Sequence, residues 1–341
     1  MNWKNNLLLG AFASIIYLTG CDKQTTPEAL QIQKPHSYSE EYLENLRAYK
    51  KTEHQIAYVW FADYTQSYSY GQRFAGLPDS IDICSLWGGI PNEEINPTAY
   101  REMREIQEVK GVRLVIPTIV RIEDKVRYGD EEFYRLFQES YEKPYDLEKR
   151  TKAIHMYADI LLKEMWDNDV DGLDLDYEPE GDRLTGDNFN IFVSYLGGFI
   201  GPKSANPEKL LVLDFYSNTP PKETEPYVSY YVRQSYNASS ARTLQNQFRS
   251  LSEWCPPGKF IVTENIGDNW QNGGVAFTDV DGNKVNDMGE PLYSLEGMAL
   301  WNPTEGAKGG FGAFYVQRDY NSTPPYKHLR KGIQIQNPAK K

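Results

Sequence analysis

The sequence predicts an α/β protein: a (β/α)8 TIM barrel forming a single domain. Three observations carry this. From residue 54 onward, β-branched and aromatic runs of strand length alternate with longer amphipathic segments. Eight such runs fall within about 275 residues, which suits a closed barrel of parallel strands better than a doubly wound sheet. The composition, 40% apolar and 25% charged, is that of a globular chain able to bury a full core.

In chain order the candidate strands are residues 56–62, 81–86, 112–120, 172–178, 210–216, 230–236, 260–265 and 312–317. Helical patterns lie between several of them, at 98–109, 147–168, 189–199, 238–254 and 295–300. The clearest is 147–168, where Ile154, Ala158, Leu161, Leu162 and Met165 share one stripe and Asp167-Asn168 closes the segment. The first and second repeats are weakly helical. In such a barrel the chemistry belongs at the C-terminal ends of the strands.

The N-terminus reads as an address. Residues 1–20 form an export signal, with Lys4 as its positive start and an apolar run over 7–18 too short to span a bilayer. Leu18-Thr19-Gly20-Cys21 resembles a bacterial lipobox, which implies lipidation of Cys21. Residues 21–52 then read as a lipidated start and polar tether, 53–330 as the barrel, and 331–341 as a C-terminal tail. The expected location is a membrane-anchored lipoprotein of the outer membrane or cell surface, as a monomer.

Charge excludes one class of partner. Lys and Arg number 36 against 48 Asp and Glu, and no basic stripe stands out, so nucleic acid is not expected. Three Cys exclude a disulfide scaffold, and Cys84, inside an apolar run, reads as a buried free thiol. Aromatic residues reach 13%, and their flat faces suit sugar rings as well as cores.

One segment stands apart: Asp171-Gly172-Leu173-Asp174-Leu175-Asp176-Tyr177-Glu178. Side chains alternate across a strand, so Asp174, Asp176 and Glu178 share one face, and Leu173, Leu175 and Tyr177 share the other. The apolar face packs against helices, and the acidic face lines the barrel interior. Carboxylates about 7 Å apart in a partly dry interior do not all ionise, so the row titrates as a coupled set. Four His in the whole chain, none near these acids, argue against a transition-metal centre, and no cofactor is implied.

This run resembles the D-x-x-D-x-D-x-E signature of glycoside hydrolase family 18, at the end of the fourth barrel strand. The resemblance implies a retaining mechanism in which the substrate's own 2-acetamido group is the nucleophile and forms an oxazolinium ion. Glu178 would be the general acid and then base, Asp176 would orient the acetamide, and Asp174 would hold Asp176 and share its proton. Asp171, the first acid, joins the substrate-binding set. On the sixth strand Gln234 and Tyr236 resemble the Gln-x-Tyr of the endo-β-N-acetylglucosaminidase branch, in which the tyrosine donates to the acetamide oxygen. Asp214, Trp60 and Asp63 are rim candidates for sugar contact, although core packing competes for Trp60, and Tyr315 matches the family's aromatic floor. The third strand lacks the Ser-x-Gly-Gly end typical of chitinases.

Residues 279–290 place oxygens like a calcium loop, but Lys284 stands where that turn needs glycine, so a surface hairpin is expected. The expected function is hydrolysis of the GlcNAc-β1,4-GlcNAc core of N-glycans on glycoproteins. The alternatives are a chitinase and a glycan-binding barrel without turnover. A lipobox, tether and glycan-cleaving domain together resemble the surface glycan-harvesting proteins of Bacteroidetes.

Overall fold

The computed structural model describes residues 38–65 and 69–338. The expectations for the export signal, Cys21 and the first part of the tether lie outside these residues. From Glu40 onward the chain forms one compact unit.

Eight parallel strands close into a barrel in sequence order. They are β1 (Ile56–Trp60), β2 (Ile83–Ser85), β3 (Arg113–Ile119), β4 (Gly172–Asp176), β5 (Leu210–Phe215), β6 (Tyr230–Gln234), β7 (Phe260–Asn265) and β8 (Gly310–Phe314). Closure is made by β8 against β1, with Ile56 opposite Gly310 and Tyr58 opposite Gly312. The strand alternation sorts two cores. Tyr58, Trp60, Ile83, Val115, Val212, Val232 and Ile261 fill the barrel, whereas Ala57, Val59, Leu114, Leu173, Leu211 and Val262 face the helices.

Glycine is required at the closing seam. A Cβ on Gly312 would stand 2.0 Å from the Tyr58 carbonyl oxygen, and one on Gly310 would stand 2.1 Å from that of Ile56. Gly312→Ala is therefore expected to destabilise the fold by about 1–3 kcal/mol or more through overpacking. Urea melts measure this, and a variant as stable as the parent would refute the tight seam.

The outer layer carries the corrections. Residues 40–50, expected within the tether, form a helix, α1 (Glu40–Lys50). Leu43 and Leu46 are buried one turn apart, acids open the helix and bases close it. Arg47 Nη1 donates to the Val109 carbonyl at 2.8 Å and Lys50 Nζ to that of Ile81 at 2.6 Å, which ties α1 to the chain ahead of β2 and β3. The second repeat holds α2 (Pro97–Arg104), which passes into a π-turn at Glu105–Val109. After β3 come α3 (Lys125–Tyr128) and α4 (Glu132–Glu139), neither expected. The clearest predicted helix is α5 (Leu147–Asp167), capped where the Asp146 side chain accepts from the Lys149 amide at 2.8 Å.

Shorter helices α6 (Gly186–Leu196), α7 (Ala241–Arg249) and α8 (Ser294–Leu300) follow β4, β6 and β7. A last helix, α9 (Lys327–Gln336), runs into the segment expected as a tail, and it buries Leu329, Gly332 and Ile333. The 279–290 segment consists of successive turns in which the Asp279 carboxylate accepts from the amides of Asp281 and Asn283. Cys84 and Cys255 are both free and buried.

Candidate active site

The site grows from β4. Leu173, Leu175 and Tyr177 enter the outer core, which turns Asp174 and Asp176 into the barrel, where they are 0% and 5% exposed. The strand ends at Asp176, two residues earlier than expected. The Glu178 amide bonds back to the Asp176 carbonyl at 3.2 Å, so Glu178 leaves the ladder and stands half-buried on the rim. Among the described residues its carboxylate makes no side-chain hydrogen bond, so it is free to meet a ligand.

Neighbouring strands hold the two inner acids. Asp174 Oδ2 accepts from Trp60 Nε1 at 2.9 Å and from Ser85 Oγ at 2.7 Å. In the β4–β5 register Asp176 lies opposite Asp214. Gln234 on β6 joins these two, since its Nε2 donates to Asp214 Oδ2 at 2.7 Å and to Asp176 Oδ1 at 3.3 Å. Burial, then the nearby Glu178 and Asp174, push Asp176 up to about 8, against the opposing pull of Arg121. Burial also raises Asp174, and burial together with the charges of Asp174 and Asp176 raises Asp214 well above the carboxylate range. The row is a coupled set that retains protons at neutral pH.

Tyr236 lies two residues past Gln234, and burial followed by four surrounding carboxylates raises its phenol. A phenol so held stays protonated and can donate. Its ring stacks near Phe314 at 6.0 Å between centroids and near Tyr216 at 6.3 Å.

The structure gives several predicted residues a place other than the expected one. Asp171 lies at the opposite end of β4, where its Oδ2 accepts from the Leu114 amide at 2.8 Å and from Gln107 Nε2 at 2.9 Å. Five residues of strand at roughly 3.3 Å each put it about 16 Å from Asp176, so it braces the barrel bottom and touches no sugar bound at the top. Trp60 is 2% exposed with its indole N–H spent on Asp174, so it positions an acid and offers no stacking face. Asp214, read as a rim residue, is 2% exposed inside the carboxylate cluster. Tyr315 falls outside β8 because its φ of 55° ends the strand, and the ring beside Trp60 and Tyr236 is that of Phe314. Asp63 stays on the rim, bonded to Gln317 Nε2 at 3.0 Å.

Sequence reading missed Tyr58, Ser85, Arg121 and Phe314. Ser85 had a signal, as the polar residue two positions after Ile83 on one strand face. Arg121 had none. Its Nε donates to the Glu178 carbonyl at 2.9 Å, and its Nη2 pairs with Glu180 at 2.7 Å, which clamps the loop that carries the acid. Beside the centre, a cavity of about 510 Å³ is lined by Asp63, Thr65, Gln72, Trp87 and Tyr315. Trp87 and Tyr216 are 39% and 49% exposed, so the rim offers aromatic faces to a ligand.

A family model described as glycoside hydrolase family 18, BT1044-like, matches residues 21–335. The endo-β-N-acetylglucosaminidase F2 of Elizabethkingia meningoseptica is 22% identical, with 93% of this chain and 92% of that protein covered. Among solved structures, a selenomethionine Glu-to-Gln variant of BT1044 superposes with a TM-score of 0.71 at 24% identity, covering 88% of this chain and 93% of the other. An endo-β-N-acetylglucosaminidase from Cordyceps militaris superposes with a TM-score of 0.63 at 21% identity, covering 89% and 98%.

Proposed function

The chain belongs to glycoside hydrolase family 18, in its BT1044-like group, and we propose that it is an endo-β-N-acetylglucosaminidase that cuts the GlcNAc-β1,4-GlcNAc core of N-glycans. It is a glycoside hydrolase; the substrate and the mechanism are the proposal. The observation that carries it is Gln234, bonded into Asp176 with Tyr236 beside it, because this Gln-x-Tyr pair resembles the endoglycosidase branch. The F2 relative and the Cordyceps militaris enzyme, both named endo-β-N-acetylglucosaminidases, support the same reading.

In this mechanism the acetamido group of the substrate acts as nucleophile. Glu178 protonates the glycosidic oxygen as the acetamide oxygen attacks C1, and the C1–O bond to the leaving sugar breaks. Asp176 accepts from the acetamide N–H and offsets the positive charge of the oxazolinium ion. Tyr236 donates to the acetamide oxygen. Water activated by Glu178 then adds at C1 as the C1–O bond of the oxazolinium ring breaks, which restores the acetamide and the proton on Glu178 and retains configuration.

Mass spectrometry of a glycoprotein before and after treatment tests the reading. The expected product is protein carrying a single GlcNAc at each released site. Cleavage of chitin with the glycoprotein untouched would point to a chitinase, and binding without turnover would point to a lectin-like barrel. Either outcome overturns the proposal. Trp87→Ala is expected to raise KM about twofold to tenfold with kcat less affected, since it removes a stacking face worth about 0.5–1.5 kcal/mol at the rim. Steady-state kinetics on a released-glycan assay reads this, and an unchanged KM would remove Trp87 from the binding surface.

Attachment belongs to the same proposal: Cys21 carries a lipid that holds the enzyme on the outer membrane or cell surface. Labelling cells with an alkyne fatty acid should mark the protein, and Cys21→Ser should abolish the label. A label that persisted in the variant would place the lipid elsewhere.

A further inference from the structure

Among the buried titratable groups that the mechanism above does not use, one lies inside the carboxylate cluster. Asp214 sits in the barrel, 2% exposed, one strand from the acids of β4. Its Oδ2 is taken by Gln234 Nε2 at 2.7 Å. Its Oδ1, like Asp174 Oδ1, accepts no well-aligned N–H or O–H bond, and both are shut off from solvent. The two carboxyl groups are hydrogen-bonding neighbours of each other. Two carboxylates cannot bond without a proton between them, because an ionised carboxyl only accepts.

The surrounding donors decide which acid carries that proton. Asp174 Oδ2 accepts two bonds, from Trp60 and Ser85, and both favour its charged form. Asp214 accepts one, and Gln234 shares that amide with Asp176. Among the described residues no Lys or Arg is bonded to either carboxyl.

We propose that Asp214 is a proton-carrying positioning residue: it stays a neutral acid, donates to Asp174, and through the Gln234 amide fixes the carboxyl of Asp176. The cluster's stored proton then rests between β4 and β5 rather than within the Asp174–Asp176 pair. Gln234, held by Asp214 from below, keeps one amide hydrogen on Asp176, so the carboxyl that must meet the acetamide group cannot swing into the barrel. The titratable groups facing Asp214 are Asp174 and Asp176 from β4, Tyr58 from β1, and Tyr236 from the loop after β6. All are raised in the same direction, by burial first, and Arg121 acts on Asp176 alone from the rim, so a neutral Asp214 relieves the crowding of acids.

The proton is tested on the purified protein alone. Infrared spectra above about pH 9, where Asp176 has ionised, should show a carboxylic-acid carbonyl band that shifts in heavy water and is missing in Asp214→Asn. If the same band survives in Asp214→Asn, the proton belongs elsewhere and the proposal falls. This readout uses no glycan, so it stands apart from the endoglycosidase reading, on which the positioning role rests.

The positioning role is tested by kinetics on a cleaved glycoprotein. Asp214→Ala removes both the donor to Asp174 and the anchor of Gln234, and should lower kcat by about tenfold to a hundredfold, the effect of losing hydrogen bonds to charged groups. Asp214→Asn keeps the shape, one donor and one acceptor, and should recover most of that loss while holding the pH profile of the parent. If Asp214→Asn were as impaired as Asp214→Ala, or shifted the profile as loss of a charge would, the neutral-acid assignment would be wrong. Equal thermal stability of the two variants separates positioning from a folding defect.

Discussion

Glu178→Gln is expected to lower kcat on a glycoprotein by about 10²–10⁴-fold and to leave glycan binding near that of the parent. Gln matches Glu in volume and keeps an acceptor oxygen, but it has no proton to give the leaving sugar. The surroundings of Glu178 make the effect clean. Among the described residues its carboxylate holds no side-chain bond that the substitution would break, and the loop is fixed through the main chain, where Arg121 grips the Glu178 carbonyl at 2.9 Å. Thermal melting should therefore be unchanged. Isothermal titration with an N-glycan reads the retained affinity, and single-turnover cleavage reads the lost step. Hydrolysis at the parental rate would mean that another group protonates the glycosidic oxygen, and the proposed mechanism would have to be abandoned.

What the sequence disclosed follows from which contacts are local. The acidic face of β4 was legible because a strand buried on both sides must choose what each face meets, and Leu173, Leu175 and Tyr177 leave only one choice for Asp174 and Asp176. The family signature, not this alternation, misplaced Asp171, because a motif written in one line runs the full height of the barrel and its first and last acids lie at opposite ends. Tyr315 was misplaced by a backbone kink: its left-handed φ ends β8 three residues before the expected end and leaves Phe314 beside Trp60 and Tyr236. Helix α1 hid because only Leu43 and Leu46 mark its buried side, and its charged residues resemble those of a solvated tether. Trp60 and Ser85 meet Asp174 from 114 and 89 residues upstream, contacts that only barrel closure creates. The polar Ser85 marks its strand face locally, but no local pattern announces its partner or that of Trp60.

Asp176→Asn is expected to cost about 10²–10³-fold in kcat, the scale of removing one preorganised electrostatic partner of a transition state. The amide oxygen of Asn can still accept from the acetamide N–H, but the side chain cannot become an anion beside the oxazolinium ion. Two further readouts separate charge from shape. Asp176 titrates near pH 8 in the folded protein, far above an ordinary carboxyl, because it is buried beside Glu178 and Asp174. The change in kcat/KM that the parent shows as pH crosses about 8 should flatten in the variant, since Asn has nothing to titrate there. Stability should follow the same group with a definite sign. A carboxyl whose folded-state pKa is raised binds its proton more tightly when folded. Its contribution is complete below the unfolded value and is lost as pH rises through about 8. Urea melts from acid to alkaline pH should show the parent weakening across that window and Asp176→Asn weakening less. A variant that lost stability as steeply as the parent would assign the buried charge to another carboxyl of the cluster. A variant that kept more than about a tenth of the parental kcat would deny Asp176 its place beside the developing positive charge.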